Sequence, residues 1–297
     1  MTAGVSPQTA PGRAADPAEP RGISAGMLDG GLAEDLAATS LAMARRFAAG
    51  GTLWCAAPSW EPHAHHVAVE FVHPVIVGKR ALPAFALTGP GLVARARVAA
   101  RPGDILIAVA EATEADIVDL MRRAPAWGAL SVWIGSGARP TAGAADHVLW
   151  IDDPDPMAPA TGRFVLLYHL LWELTHVCFE HSGLLRPDPA GTDAGAAGEI
   201  CITCGDEGRL AEVIQPPAGR FDKALVRTAE GEESIDVTLV SPVTPGDLLL
   251  VHAGTALTRS APPAPAAFEA PAPGASALPS ACPSGPPTLR APCEGPS

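Results

Sequence analysis

The stretch Arg101-Pro102-Gly103-Asp104-Ile105-Leu106-Ile107-Ala108-Val109-Ala110 decides how this chain folds. A Pro-Gly-Asp turn leads into an apolar run from Asp104 to Ala110 with no polar alternation, which a strand needs only when both of its faces are covered. Runs of the same kind lie on either side, at Thr52-Leu53-Trp54-Cys55-Ala56, Ala84 to Thr88, Ala129 to Ile134 and His147 to Ile151. Helical patterns fill the intervals. Leu32, Leu36, Leu41 and Met43 recur at near-helical spacing from Gly31 to Phe47, and Gly50-Gly51 is a stop signal. Pro62 favours the first turn of a helix over His63 to Phe71. Ala115 to Arg123 reads as a helix, as does Gly162 to His181 with Leu166, Leu167, Leu170, Leu171 and Leu174. Strands alternating with helices predict an α/β fold over residues 23–184, a doubly wound, mainly parallel sheet with helices on both faces.

The chain of 297 residues carries 32 prolines and 30 glycines, too many for one compact fold, and they gather at the two ends and in the middle. Residues 1–22 read as a disordered leader, 185–198 as a small, glycine-rich linker and 260–297 as a disordered Pro/Ala-rich tail. Between linker and tail, residues 199–259 form a second module. Its short β-like runs are Arg209 to Ile214, Lys223 to Thr228, Ser234 to Leu239 and Asp247 to Val251, separated by turn residues such as Pro216-Pro217-Ala218-Gly219. Strands at this interval predict a small β-barrel.

A formal charge of −12 argues against a sequence-independent grip on nucleic acid, which needs clustered Lys and Arg. No run of about twenty apolar residues and no apolar leader segment is present, so neither a membrane span nor a secretory signal is expected, and a cytoplasmic location is. Six cysteines do not resemble a disulfide framework in a reducing compartment. Cys55 and Cys178 sit among apolar neighbours as small core residues, and Cys282 and Cys293 lie in the tail. Cys201 and Cys204, in Cys201-Ile202-Thr203-Cys204, pair in type with His252, about fifty residues on, as a soft-ligand site for a transition metal. The C-x-x-C spacing also fits half of a zinc knuckle, without a matching second pair, or an idle pair of thiols.

The run from Glu199 to Arg259 resembles the HypC/HupF family of hydrogenase maturation chaperones, on Cys201-Ile202-Thr203-Cys204, Ala224-Leu225-Val226, Ile235-Asp236-Val237-Thr238-Leu239-Val240 and Pro245-Gly246-Asp247-Leu248-Leu249-Leu250-Val251-His252-Ala253-Gly254. The resemblance implies an OB-like barrel and a carrier of the Fe(CN)2CO centre. Such a carrier works with a HypD-type maturation protein and delivers to the precursor of a [NiFe]-hydrogenase large subunit. The family's thiol falls on Cys201 and its histidine on His252, as ligands of the iron centre or as proton-handling groups. Two departures stand out: Cys201 is internal where the family places it after the initiator methionine, and the family's terminal helix is replaced by proline-rich sequence.

Residues 31–181 resemble the sugar isomerase (SIS) domain of the phosphoheptose isomerase branch, on Gly50-Gly51, His66-Val67-Ala68-Val69-Glu70, Arg80 to Thr88, Arg101 to Ala108 and Tyr168-His169-Leu170. This implies a dimerisation or ligand-sensing module that self-associates. It also implies, as the rival reading, a metal-dependent sugar-phosphate isomerase in which His66, Glu70 and His169 hold zinc, with Glu70 and His169 as its acid and base. His66 and Glu70, four apart, share a helical face, and two imidazoles with a carboxylate suit zinc or proton transfer. His63 and His65 add nearby imidazoles, pointing in different directions. The family's phosphate cradle is altered: its first loop here reads Ala56-Ala57-Pro58-Ser59-Trp60-Glu61 and its second Ala110-Glu111-Ala112-Thr113-Glu114. Proline lacks an amide donor, and carboxylates at a helix N-terminus repel phosphate. Trp54 and Trp60 are candidates for lining an apolar pocket.

Overall fold

The computed structural model describes residues 30–153, 155, 158–160, 162–186, 208–219 and 222–260. The expected leader, most of the linker, the tail, Cys201 and Cys204 lie outside the described residues. The first sheet contains β1 (Leu53–Ala56), β2 (Ala84–Leu87), β3 (Ile105–Val109), β4 (Leu130–Ser136) and β5 (His147–Ile151), in the order β2-β1-β3-β4-β5. Every pairing within it is parallel. All five residues of β3 are buried, which is why Ile105-Leu106-Ile107-Ala108-Val109 shows no alternation.

Two apolar layers cover the two faces. Helices α1 (Gly30–Ala48), α2 (Glu61–Val72) and α5 (Gly162–Glu180) pack one core with Leu53, Ile105, Ile107 and Val132 from the strands. Helices α3 (Leu92–Ala99) and α4 (Ala115–Arg123), with the 3-10 turn Ala124–Trp127, pack the other with Leu106, Ala108 and Trp133. This is the doubly wound arrangement expected from the alternation of strands and helices. Among the described residues no helix is long and apolar enough to cross a membrane.

The turn before β3 fastens the sheet. Asp104 is buried at 6 % exposure, and its carboxylate accepts hydrogen bonds from the Thr52 amide, the Trp54 indole and the Arg101 amide, each at 2.9 Å. One side chain thus locks the start of β3 to β1, and Trp54, stacked on Phe85, belongs to this joint rather than to a pocket. Gly51 is required here: a Cβ on it would stand 2.4 Å from the Gly103 carbonyl oxygen.

The second sheet is antiparallel and contains β6 (Arg209–Gln215), β7 (Ala224–Thr228), β8 (Gly231–Ile235), β9 (Leu248–His252) and β10 (Thr255–Arg259), in the order β10-β9-β6-β7-β8. Its outer ends meet at a bridge between Asp236 and Thr255, where the Asp236 amide donates to Gly254 at 2.9 Å and the Ala256 amide to Asp236 at 2.8 Å. The sheet therefore curls around its own core of Ala211, Val213, Val226, Ile235, Leu249 and Val251. Two strand placements differ from expectation. The third strand runs over Gly231–Ile235 and not Ser234 to Leu239, because Val237 to Val240 closes a turn through a 3.0 Å amide bond. A fifth strand, β10, follows the two-residue hairpin Ala253-Gly254, whose φ values of 49° and 72° are those of a type I′ turn.

Strand alternation joins the two sheets. In β6, Ala211 and Val213 point into the small core while Glu212 points the other way, toward α3, α4 and the 3-10 turn. Glu212 is 1 % exposed, and its carboxylate accepts from Arg97 Nε at 3.0 Å, Arg123 Nη1 at 2.7 Å and Trp127 Nε1 at 2.9 Å. Arg227 returns the contact by donating to the Arg97 and Ala100 carbonyls at the end of α3. Leu248 and Leu210 add apolar contact to the same face.

Candidate metal centre

Helix α2 starts at Glu61 with Pro62 in its first turn and presents His63, Val67 and Phe71 inward. His66 and Glu70 stand one turn apart at the edge of that buried face, both half-buried. Helix α5 packs alongside α2 and carries Tyr168, fully buried, next to His169, half-buried. Their side chains meet. Glu70 Oε1 lies 3.3 Å from His66 Nε2 and 3.4 Å from His169 Nε2. One ligand atom from each of the three residues lies within 4.8 Å of the others, the single such group among the described residues. The structure therefore brings together His66, Glu70 and His169.

The spacing fits a small divalent ion. A tetrahedron with metal–ligand bonds of about 2.0–2.1 Å has edges of about 3.3–3.4 Å, and two of the three ligand pairs already stand at that distance. Three electron-rich atoms facing one another gain from a cation between them, and two imidazoles with one carboxylate form the His2Glu set of open zinc sites.

Behind the triad lies a buried polar chain. His66 Nδ1 is 2.8 Å from the Tyr168 hydroxyl, which is 3.4 Å from His63 Nδ1, and His63 Nε2 reaches the Pro159 carbonyl at 2.5 Å. Burial holds the His63 imidazole below its ordinary pKa, the Pro159 bond opposing the shift, so the ring is neutral at neutral pH. Burial pushes the Tyr168 phenol up to about 12, with the Glu70 charge adding to it, so the hydroxyl keeps its proton. His65, one residue along, is exposed and takes no part. His176, on the same helix as His169, is buried against the Trp172 and Arg80 carbonyls and belongs to the packing.

Sequence reasoning reached the triad through the SIS resemblance, with the four-residue spacing of His66 and Glu70 placing those two on one helical face, but assigned no role to Tyr168 or His63. The available signal was helical phase: His63 precedes His66 by three residues and so shares its face.

An open crevice of about 190 Å3 lies at the carboxyl ends of β3, β4 and β5, the usual ligand position in such sheets. It is lined by Glu111, Thr113, Ser136, Gly137, Asp153 and Asp155. Three carboxylates are a poor lining for a phosphate. Nearby, the first loop's serine is engaged by an acid: the Ser59 hydroxyl donates to Glu114 at 2.6 Å.

His252 is exposed at the end of β9. Its neighbour Val251 pairs with Arg209 at the start of β6. Cys55 and Cys178 are buried thiols, and burial raises the pKa of both.

No protein-family model and no curated protein matches the chain. Among solved structures, a phosphoheptose isomerase from Francisella tularensis aligns at 17 % identity over 48 % of this chain and 86 % of its own, with a TM-score of 0.43. A protein described as a sugar-phosphate isomerase from Listeria monocytogenes aligns at 17 % identity over 50 % and 77 %, with a TM-score of 0.36. One described as a phosphosugar isomerase involved in capsule formation, from Bacteroides fragilis, aligns at 16 % identity over 50 % and 86 %, with a TM-score of 0.38.

Proposed function

We propose that the α/β domain holds a divalent transition metal, zinc foremost, at His66, Glu70 and His169, and that it carries out metal-assisted proton transfer of the sugar-phosphate isomerase type. The observation that carries this reading is the tetrahedral-edge spacing of Glu70 Oε1 from both imidazoles. When bound, such an ion supplies Lewis-acid polarisation of a carbonyl oxygen. In an aldose–ketose interconversion a proton leaves one carbon, a proton reaches its neighbour, and the carbonyl and hydroxyl exchange places. On this reading Glu70 and His169, half-buried at the rim of the α2–α5 seam, take up and return that proton. The acidic crevice disfavours a phosphate at the strand ends, so the test needs neutral and phosphorylated sugars side by side. Turnover of any of these that requires metal and is lost in Glu70→Gln and His169→Ala supports the reading. Metal binding with no turnover across the panel removes the isomerase part.

A second reading attaches to the small sheet: a carrier of the Fe(CN)2CO centre, working with a HypD-type partner and a [NiFe]-hydrogenase precursor, with Cys201 and His252 as the groups that hold this cargo. Anaerobic purification with the partner, followed by infrared spectroscopy in the cyanide and carbonyl stretching region, tests it. Bands lost in Cys201→Ala support the carrier, and bands unchanged in that variant reject the ligand.

A further inference from the structure

We infer that Tyr168 and His63 are positioning residues that form a one-way hydrogen-bond relay, fixing His66 in the tautomer whose Nε2 is bare and turned to the ligand cluster. The inference rests on the metal reading of His66, Glu70 and His169 and concerns what prepares that site. The direction follows from counting hydrogens. The Pro159 carbonyl only accepts, so His63 Nε2 must donate to it. In a neutral imidazole Nδ1 then carries the lone pair, and the group facing it, 3.4 Å away, is the Tyr168 hydroxyl. That hydroxyl has one hydrogen. Directed at His63, it leaves Tyr168 Oη an acceptor toward His66 Nδ1 at 2.8 Å, so His66 Nδ1 must donate. In the neutral ring His66 Nε2 is then left without a hydrogen, 3.3 Å from Glu70 Oε1.

The opposite direction, Tyr168 donating to His66, would let His66 Nε2 donate to Glu70 Oε1 at 3.3 Å, but it strands Nδ1 of the buried His63, which water does not reach as it reaches the half-buried His66 and Glu70. A carbonyl on the turn Ala158–Ala160 therefore sets the protonated nitrogen of a ring two residues removed from it in the relay. An outer hydrogen-bond partner of a ligating histidine commonly carries about ten- to hundredfold in metal affinity.

The test uses the full chain, labelled with 15N-histidine and held at mildly alkaline pH, with zinc affinity read by chelator competition. The zinc-free wild-type protein should show His66 protonated at Nδ1. His63→Leu touches no ligand, yet it removes the acceptor of the Tyr168 hydroxyl. That hydroxyl then turns to His66 Nδ1, the ring switches to the Nε2–H form, and zinc affinity falls about ten- to hundredfold. Tyr168→Phe frees the ring to populate both forms and weakens zinc by a similar factor. His66 shifts unchanged in both variants would overturn the relay. The nitrogen shifts are read without metal, so a wild-type chain that shows them and binds no zinc upholds the relay and removes the metal reading instead.

Discussion

Replacing Glu212 by alanine probes how the two sheets are joined. The carboxylate is 1 % exposed and accepts from Arg97, Arg123 and Trp127. Breaking a buried ion pair by deleting one partner costs about 3–5 kcal/mol, because the remaining charge is left uncompensated. Two features place this site at the low end. The Arg97 side chain is 35 % exposed and can turn to water, and Arg123 keeps Asp119 at 2.9 Å and the Gly246 carbonyl at 2.7 Å. The expected loss is about 3 kcal/mol, with Glu212→Gln losing roughly half because it keeps shape and part of the bonding. In urea, with a slope of about 3 kcal/mol per molar for a protein of this size, the midpoint should fall by about 1 M. Indole fluorescence should report the change early, since Trp127 loses its partner. A midpoint shift below about 0.3 M, with fluorescence unchanged, would refute the view that this carboxylate fastens the small sheet to the α/β domain.

Other consequences are as direct. Asp104→Ala leaves the Thr52 and Arg101 amides and the Trp54 indole without their acceptor and should cost about 3 kcal/mol, checked by calorimetry; a loss under about 1 kcal/mol contradicts the joint described. Gly135→Ala would set a Cβ 2.4 Å from the Trp150 ring and 2.5 Å from the Ala110 carbonyl, so soluble expression should collapse, and a wild-type melting temperature would show that β4 and β5 have slack. His63 and His147 both have pKa values lowered below 6.5, chiefly by burial. The unfolded chain then binds protons first, so this stability is present above about pH 6.5 and is lost as pH falls toward the lower folded values. Melting temperature should drop below that pH, with a shallower slope in His147→Gln; equal slopes in the two proteins would remove His147 from the account.

Much of the fold was legible because its strands are buried on both faces, and apolar runs such as Ile105 to Val109, or Leu130 to Ile134 with Ser131 its one polar residue, have few other uses. Helix α3 was missed for the opposite reason. It buries only Leu92 and Ala96, and Val98 is 88 % exposed, so its pattern has little amphipathic contrast. In the small sheet, Gly231-Glu232-Glu233-Ser234 reads as a polar loop, yet it pairs with β7 along its length. The alternation in Ile235 to Leu239 drew the strand onward, past the residue where the backbone turns. β10 buries one residue, Ala256, and left no apolar trace.

At the site, His66, Glu70 and His169 were reached through resemblance, and the four-residue spacing added that the first two share a helical face. Tyr168 was hidden inside an apolar helix, where one hydroxyl does not disturb the hydrophobic pattern. Its role depends on a helix about a hundred residues upstream, which local sequence does not encode. Glu212 was hidden likewise, since an acid in an alternating strand reads as solvent-facing until a second domain covers it.

X-ray absorption at the zinc edge of the metal-loaded chain tests the central claim most directly. The triad predicts one zinc per chain with two imidazole nitrogens and a carboxylate oxygen at about 2.0–2.1 Å, and one imidazole lost in either His66→Ala or His169→Ala. A first shell dominated by sulfur at about 2.3 Å, or one unchanged in both variants, would contradict it.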